Sequence, residues 1–254
     1  STWGYLLSPS ETLSSIINQQ QLRFSDGRQV HAYNLGYPVM SLTKDLLILT
    51  TALAYEPDLI VWPITLESFP NSKQLYPPLL QNNPDAVRQL ITTQHLDLDI
   101  NDPSFVEQNF YQQTLIGQRK ELADWLRLQI LGIMWAATGI DQEIPDHYVL
   151  RQEDLSSDLQ FYDLQPPELP ENALALDALQ AGMKMAGDIP ILLINEPMFI
   201  SQGANSELRY NFFYPRWAYD AYRAQLAGLA AATGWDYLDL WEAVPEGHFT
   251  NSAV

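Results

Sequence analysis

With 254 residues, 46% of them hydrophobic and 17% charged, the chain has the material for a sizeable α/β core and is not of disordered composition. Its formal charge of −18 repels phosphate backbones and anionic headgroups, so nucleic acid and polybasic-type membrane contact are not among the expected partners. There is no cysteine, hence no disulfide, thiolate metal site or cysteine nucleophile, and no apolar run reaches the about 18 residues that span a bilayer.

The first element is a helix over 8–21, announced by Ser8, Pro9 and Glu11 in capping-box spacing. Residues 29–35 (QVHAYNL) read as a strand. Leu42, Leu46, Leu49 and Leu53 recur at steps of 4, 3 and 4 and predict a helix over 41–54 that Pro57 stops. Residues 58–64 (DLIVWPI) are nearly continuously apolar, as in a sheet covered on both faces, with Pro63 marking where the end leaves the ladder. A long helix is expected around 115–138, with Leu122, Leu126, Ile130 and Ile133 on one face. Residues 141–171, rich in acids and proline, read as a mobile lid or exposed loop, or as a plain solvated linker.

Leu176, Leu179 and Met183 predict a helix over 171–186, followed by a buried strand at 189–195. Pro215 opens a helix over 216–233 with Tyr219, Tyr222, Leu226 and Leu229 on one face, Gly234 ends it, and WDYLDLW at 235–241 reads as another strand. Strands alternating with helical crossovers predict an α/β fold. The expected form is a flavodoxin-like doubly wound parallel sheet with helices on both faces. It is read as a single domain over 1–254 with a large, mainly helical insertion over about 70–170.

In such sheets ligands sit outside the carboxyl ends of the strands. That selects Asn34 and Gly36, then Thr65 and Glu67, then Asn195 and Glu196, and last the segment after 241 with His248. Gly36, between a strand and a helix, either makes a tight turn or turns backbone N–H groups into a cleft, as an oxyanion hole requires. Glu67 and Glu196 are candidates for an acid/base pair, with a structural Glu196 as the alternative. Asn195-Glu196-Pro197 also matches the acid/base signature of retaining glycosidases, but those need an eight-fold barrel and only four strands are legible. Of the four histidines, only His248 lies where a general base for a serine nucleophile belongs, a surface-loop histidine being the plain reading. No metal cluster or glycine-rich phosphate loop is present, so no cofactor is expected.

STWGYLLSPSETL at the start, NLGYPVMS at 34–41, PDLIVWPITLES at 57–68 and DLWEAVPEGHFTNSAV at the end fall in the order of four family blocks. In this the chain resembles the SGNH (GDSL-type) esterase superfamily. Ser1, Thr2, Trp3 and Gly4 fit the end of Gly-Asp-Ser-x-Thr-x-Gly, which puts the nucleophile immediately before Ser1, or at Ser1 in a shifted register. Asn34 and Gly36 match the asparagine–x–glycine block, and the resemblance makes the Gly36 N–H an oxyanion donor. Glu67 stands where the family has its oxyanion asparagine, and a carboxylate donates only when protonated, so Asn195 or Thr65 would supply the missing donor. Phe249-Thr250-Asn251-Ser252 resembles the turn before the family histidine, with Asn251 where an aspartate is common.

The resemblance implies a serine esterase or O-acyl transferase of the cell envelope. Its substrate would be a small-molecule or glycan acyl ester. The aromatics Trp3, Trp62, Phe212, Phe213, Tyr214 and Trp217 are candidates for stacking on a sugar, with ordinary core and rim aromatics as the plain reading. Membrane association would come only through segments outside this sequence, and the piece itself is expected to be inactive. The alternative from another class is a non-catalytic SGNH-like module that binds glycan or protein, which Glu67 and Asn251 favour.

Overall fold

The computed structural model describes residues 8–107, 110–112, 114–138, 149–150, 154–245 and 248–251. In chain order the helices are α1 (Leu13–Gln19), α2 (Leu42–Ala52), α3 (Pro78–Gln81), α4 (Pro84–Gln94), α5 (Arg119–Thr138), α6 (Leu176–Met185) and α7 (Arg216–Thr233). The strands are β1 (Ile60–Ile64), β2 (Val149–Leu150), β3 (Ile191–Asn195), β4 (Asp236–Asp239) and β5 (Thr250–Asn251). The chain divides into two compact units, one of Ser1–Tyr37, Val106–His147 and Ser252–Val254, the other of Pro38–Phe105 and Tyr148–Asn251.

In the first unit, the Glu11 carboxylate accepts hydrogen bonds from the Ser8 N–H at 2.9 Å and the Ser8 hydroxyl at 2.7 Å. The expected cap therefore closes on a short 3-10 turn, Pro9–Glu11, and Thr12 caps α1 itself. Residues 29–35 form no strand, which corrects the reading of QVHAYNL: Gln29 makes a single antiparallel bridge with Arg23. The backbone here is satisfied locally instead. The Asn18 side chain accepts from the Ala32 N–H at 2.7 Å and donates to the Ala32 carbonyl at 2.9 Å. The predicted apolar face of α5 is present but uncovered, with Ile130 and Ile133 63% and 74% exposed. Among the described residues no helix is long and apolar enough to cross a membrane.

The second unit is an α/β layer built on a three-stranded parallel sheet of order β1-β3-β4. Trp62 pairs with Leu193 and Ile64 with Asn195, so these side chains share one face, and they are buried. Helices α2, α6 and α7 all reach that face. The Trp62 indole lies where a Cβ at Gly182 of α6 would sit, 2.5 Å from its ring carbons, and donates its N–H to Asp45 of α2 at 3.1 Å. From α7, Tyr219 and Tyr222 reach Asn195. Within this unit the other face, with Val61 and Leu238, stays largely exposed. That differs from the two covered faces expected from the apolar run.

Pro63 also differs from expectation, because it remains in the ladder opposite Ile194. Ile60 donates to Pro190 and Ile64 accepts from Glu196, so even-numbered residues of β1 face β3. Pro63 therefore turns its missing N–H toward the open edge, where it costs no ladder bond.

Residues 71–105, read as part of an insertion, supply core: Leu75, Leu80, Val87, Leu90, Ile91 and Phe105 are buried. The described part of 141–171 is a mostly exposed loop, one of the expected forms, but it is anchored at a few points. Leu155, Phe161 and Leu169 are buried. Trp217 donates to the Leu159 carbonyl at 2.7 Å and Gln225 to the Leu169 carbonyl at 2.7 Å, which ties the segment to α7. The acidic composition hid these few anchors.

Candidate functional site

β1, β3 and β4 run parallel, so their carboxyl ends share one rim, and Thr65, Glu67, Asn195 and Glu196 lie there. Parallel strands place successive loops at the same edge, which is where doubly wound sheets bind ligands. The ladder runs one residue past β3, since the Glu196 N–H donates to the Ile64 carbonyl at 3.0 Å.

Asn195 points inward, not into the rim. Its side chain is fully buried, and its amide donates to Asp239 at 2.8 Å and to the Tyr219 hydroxyl at 3.1 Å. Its amide oxygen lies 3.3 Å from the Tyr219 and Tyr222 hydroxyls. Both amide hydrogens are thus committed, and the expectation that Asn195 supplies an oxyanion donor is corrected. Burial pulls the Asp239 carboxyl upward, but hydrogen bonds from Asn195, Arg223 and the Trp241 N–H outweigh it and hold the group below its ordinary value. This network joins β3, β4 and α7. With a sheet of three strands among the described residues, the barrel that the glycosidase reading requires is also missing from the geometry.

Glu67 sits in a short 3-10 turn after β1. Its carboxylate accepts from the Lys73 ammonium, and from the Tyr162 hydroxyl at 2.6 Å. Lys73 also lies over the Tyr162 ring, 5.5 Å from its centroid. Tyr162 adopts a left-handed backbone, φ 53°, in a tight turn closed by paired hydrogen bonds between Phe161 and Leu164. Burial raises the Tyr162 phenol far above its ordinary range and the Glu67 bond adds to this, so the phenol stays a donor. Glu67 is therefore an acceptor on all these contacts. Thr65 is buried, with its hydroxyl hydrogen-bonded to the Tyr214 phenol at 2.7 Å.

Glu196 is half-buried. Burial raises its carboxyl above the ordinary value, and the charge of Asp45 adds to the shift. Burial likewise raises Asp45, against the pull of Lys44 and of the Trp62 N–H. A carboxyl with a raised affinity for protons at a sheet rim has the character of a general acid. Lys73, Tyr162 and Asp45 carry no sequence signal as site residues, since each reaches the rim only through tertiary packing.

His248 is exposed on a 3-10 turn, and its N–H donates to the Pro245 carbonyl at 2.9 Å. Its neighbour Phe249 packs on Phe199 of the loop after β3, with ring centroids 5.7 Å apart. Asn251 belongs to the short β5, paired with Val149 of β2. Asn34 and Gly36 belong to the other unit, and there the Gly36 N–H donates to the Asn34 side chain at 2.9 Å. That amide is occupied by its own turn, a correction to its expected role as a free oxyanion donor. Ser1 and Thr2 lie outside the described residues. Among the described residues there is no group of three or more histidines, aspartates and glutamates that could hold a metal ion.

No family model matches the chain, and comparison with curated proteins and with solved structures returns no match.

Proposed function

We propose that the chain is the body of an SGNH-like serine esterase or O-acyl transferase of the cell envelope, acting on ester-linked acyl groups of a small molecule or glycan. In this reading the three-stranded layer is the core of a flavodoxin-like, doubly wound sheet. The observation that carries it is the shared rim: β1 ends in Thr65 and Glu67, and its parallel neighbour β3 ends in Asn195 and Glu196. Ligands of such sheets bind at that edge. By the resemblance of Thr2 and Gly4 to the end of the family's nucleophile block, the reading assigns the attacking serine to that segment. In this reading a histidine-activated serine attacks the acyl carbonyl. The test is fluorophosphonate labelling of the full-length protein. A covalent adduct on the peptide containing Thr2, Trp3 and Gly4 is expected, and the absence of both an adduct and hydrolysis of p-nitrophenyl acetate would sink the assignment.

A second reading, a non-catalytic SGNH-like module that binds glycan or protein, is favoured by one observation. Glu67, at the position of the family's oxyanion asparagine, is held by Lys73 and Tyr162, and the Gly36 amide is held by Asn34. Both groups that would stabilise an oxyanion are occupied. Binding of a glycan by a protein that takes no label would decide for this alternative.

A further inference from the structure

The loop between β3 and α7 presents two phenylalanines to solvent. Phe212 and Phe213 are 67% and 54% exposed, and their rings meet edge to face with centroids 5.4 Å apart. The loop that carries them is held rigidly. The buried Asn211 side chain accepts the N–H groups of Phe213 at 2.9 Å and Tyr214 at 3.1 Å. The buried Arg209 guanidinium donates to the Phe212 carbonyl at 2.6 Å and also to the Asp158 carbonyl. Two buried polar side chains thus hold in place a pair of rings whose apolar surface meets water. Such a preformed aromatic surface suits binding, because little ordering remains to be done when a ligand arrives.

The rings do not stand alone. Phe213 neighbours Tyr214, with centroids 6.3 Å apart, and the Tyr214 hydroxyl touches Thr65 at the rim. Burial holds the Tyr214 phenol well above its ordinary value, and the Glu67 charge adds to this against the Thr65 bond, which places Glu67 beside it. Glu67 in turn holds Tyr162 and Lys73. The result is a strip of contacts, buried at Tyr214, that links the bare aromatic rings to a carboxylate, an ammonium and a phenol.

We infer that this strip, Phe212–Phe213 leading through Tyr214 to Glu67, Lys73 and Tyr162, is a binding site for a neutral β-linked pyranose chain. The inference rests on the proposed glycan-directed function and names its substrate class. The apolar C–H face of a β-pyranose covers an aromatic ring, and its equatorial hydroxyls pair with charged and phenolic groups beside it. An apolar peptide would strip water from the Glu67–Lys73 ion pair and offer its remaining hydrogen-bonding positions no partner, which costs more than it returns. An acidic polysaccharide or an anionic lipid surface is opposed by the −18 charge of the chain. Lys73 does not offset this, because its ammonium is already paired with Glu67.

The experiment is titration of the full chain with cellohexaose and with chitohexaose, read by calorimetry and by saturation-transfer NMR. At least one hexasaccharide is expected to bind, with saturation transfer to its C–H protons. The Phe212→Ala/Phe213→Ala variant should bind about tenfold more weakly, as expected for loss of aromatic contacts, at an unchanged melting temperature. Phe213→Tyr should retain binding. No binding of either sugar, or equal affinity in the double alanine variant, overturns the inference. Binding requires no turnover, so a protein that binds but takes no fluorophosphonate label sinks the esterase reading alone. A protein that labels but does not bind sinks this inference alone.

Discussion

Gln74 is fully buried, and the loss of its amide is the sharpest test of how the rim is held. Its side-chain oxygen accepts from the Thr43 N–H and the Thr43 hydroxyl, both at 3.0 Å. Its nitrogen donates to the carbonyls of Ser68 at 2.9 Å and Pro70 at 3.1 Å. One side chain thus ties the first turn of α2 to the loop after β1 that carries Glu67. Gln74→Leu keeps the approximate volume and removes every one of these bonds. The Pro70 carbonyl still accepts from the Lys73 N–H. The Thr43 N–H, the Thr43 hydroxyl and the Ser68 carbonyl lose these partners in a site closed to water. Each buried orphan costs about 1–3 kcal/mol, so the variant should lose roughly 3–9 kcal/mol, less a small gain from the leucine's apolar surface. That is a large share of a typical domain's stability, about 5–15 kcal/mol, and should lower the melting temperature by roughly 6 °C or more. Thermal and urea unfolding followed by circular dichroism measure it. A change within about 0.5 kcal/mol, as at an ordinary surface site, would refute the accounting.

Two further outcomes follow from the core and the rim. Gly182→Ala places a methyl group 2.5 Å from two carbons of the Trp62 ring, and overpacking of this kind should destabilise by about 1–3 kcal/mol, with a changed Trp fluorescence as its signature. The raised carboxyl of Glu196 contributes stability that is fully present below the ordinary value of 4.5 and is lost as pH rises through its higher folded value. Glu196→Gln should therefore be more stable than the parent at pH 7 and show a flatter stability profile above pH ~4.5, measured by urea midpoints at several pH values. A less stable variant at pH 7 would contradict the burial argument.

The elements with strong local signals were legible. DLIVWPI and DIPILLIN are short apolar runs bounded by breakers, and both became neighbouring strands of one parallel sheet. The four-three spacing of Leu42, Leu46 and Leu49 became the buried stripe of α2. QVHAYNL failed because alternation alone does not make a strand: the Asn18 amide satisfies Ala32 before any ladder can. The acidic stretch showed as an exposed loop, but its anchors did not, because composition averages over residues. Three apolar side chains at 155, 161 and 169 and a few donors from α7 fix it regardless of its charge. At the rim, Glu67 and Glu196 were visible as carboxylates that follow strands. The partners of Glu67 were not, because Lys73 and Tyr162 meet it across separations that no spacing rule encodes.

The odd-numbered backbone groups of β1 face outward, and one of them belongs to Pro63. A segment from another molecule that tried to add itself there would find the amide hydrogen of Val61, then a pyrrolidine ring where the next donor should be. Among the described residues no strand pairs with that side of β1, and there the proline would deny a newcomer one of its bonds, which tells against edge-to-edge association at this valine.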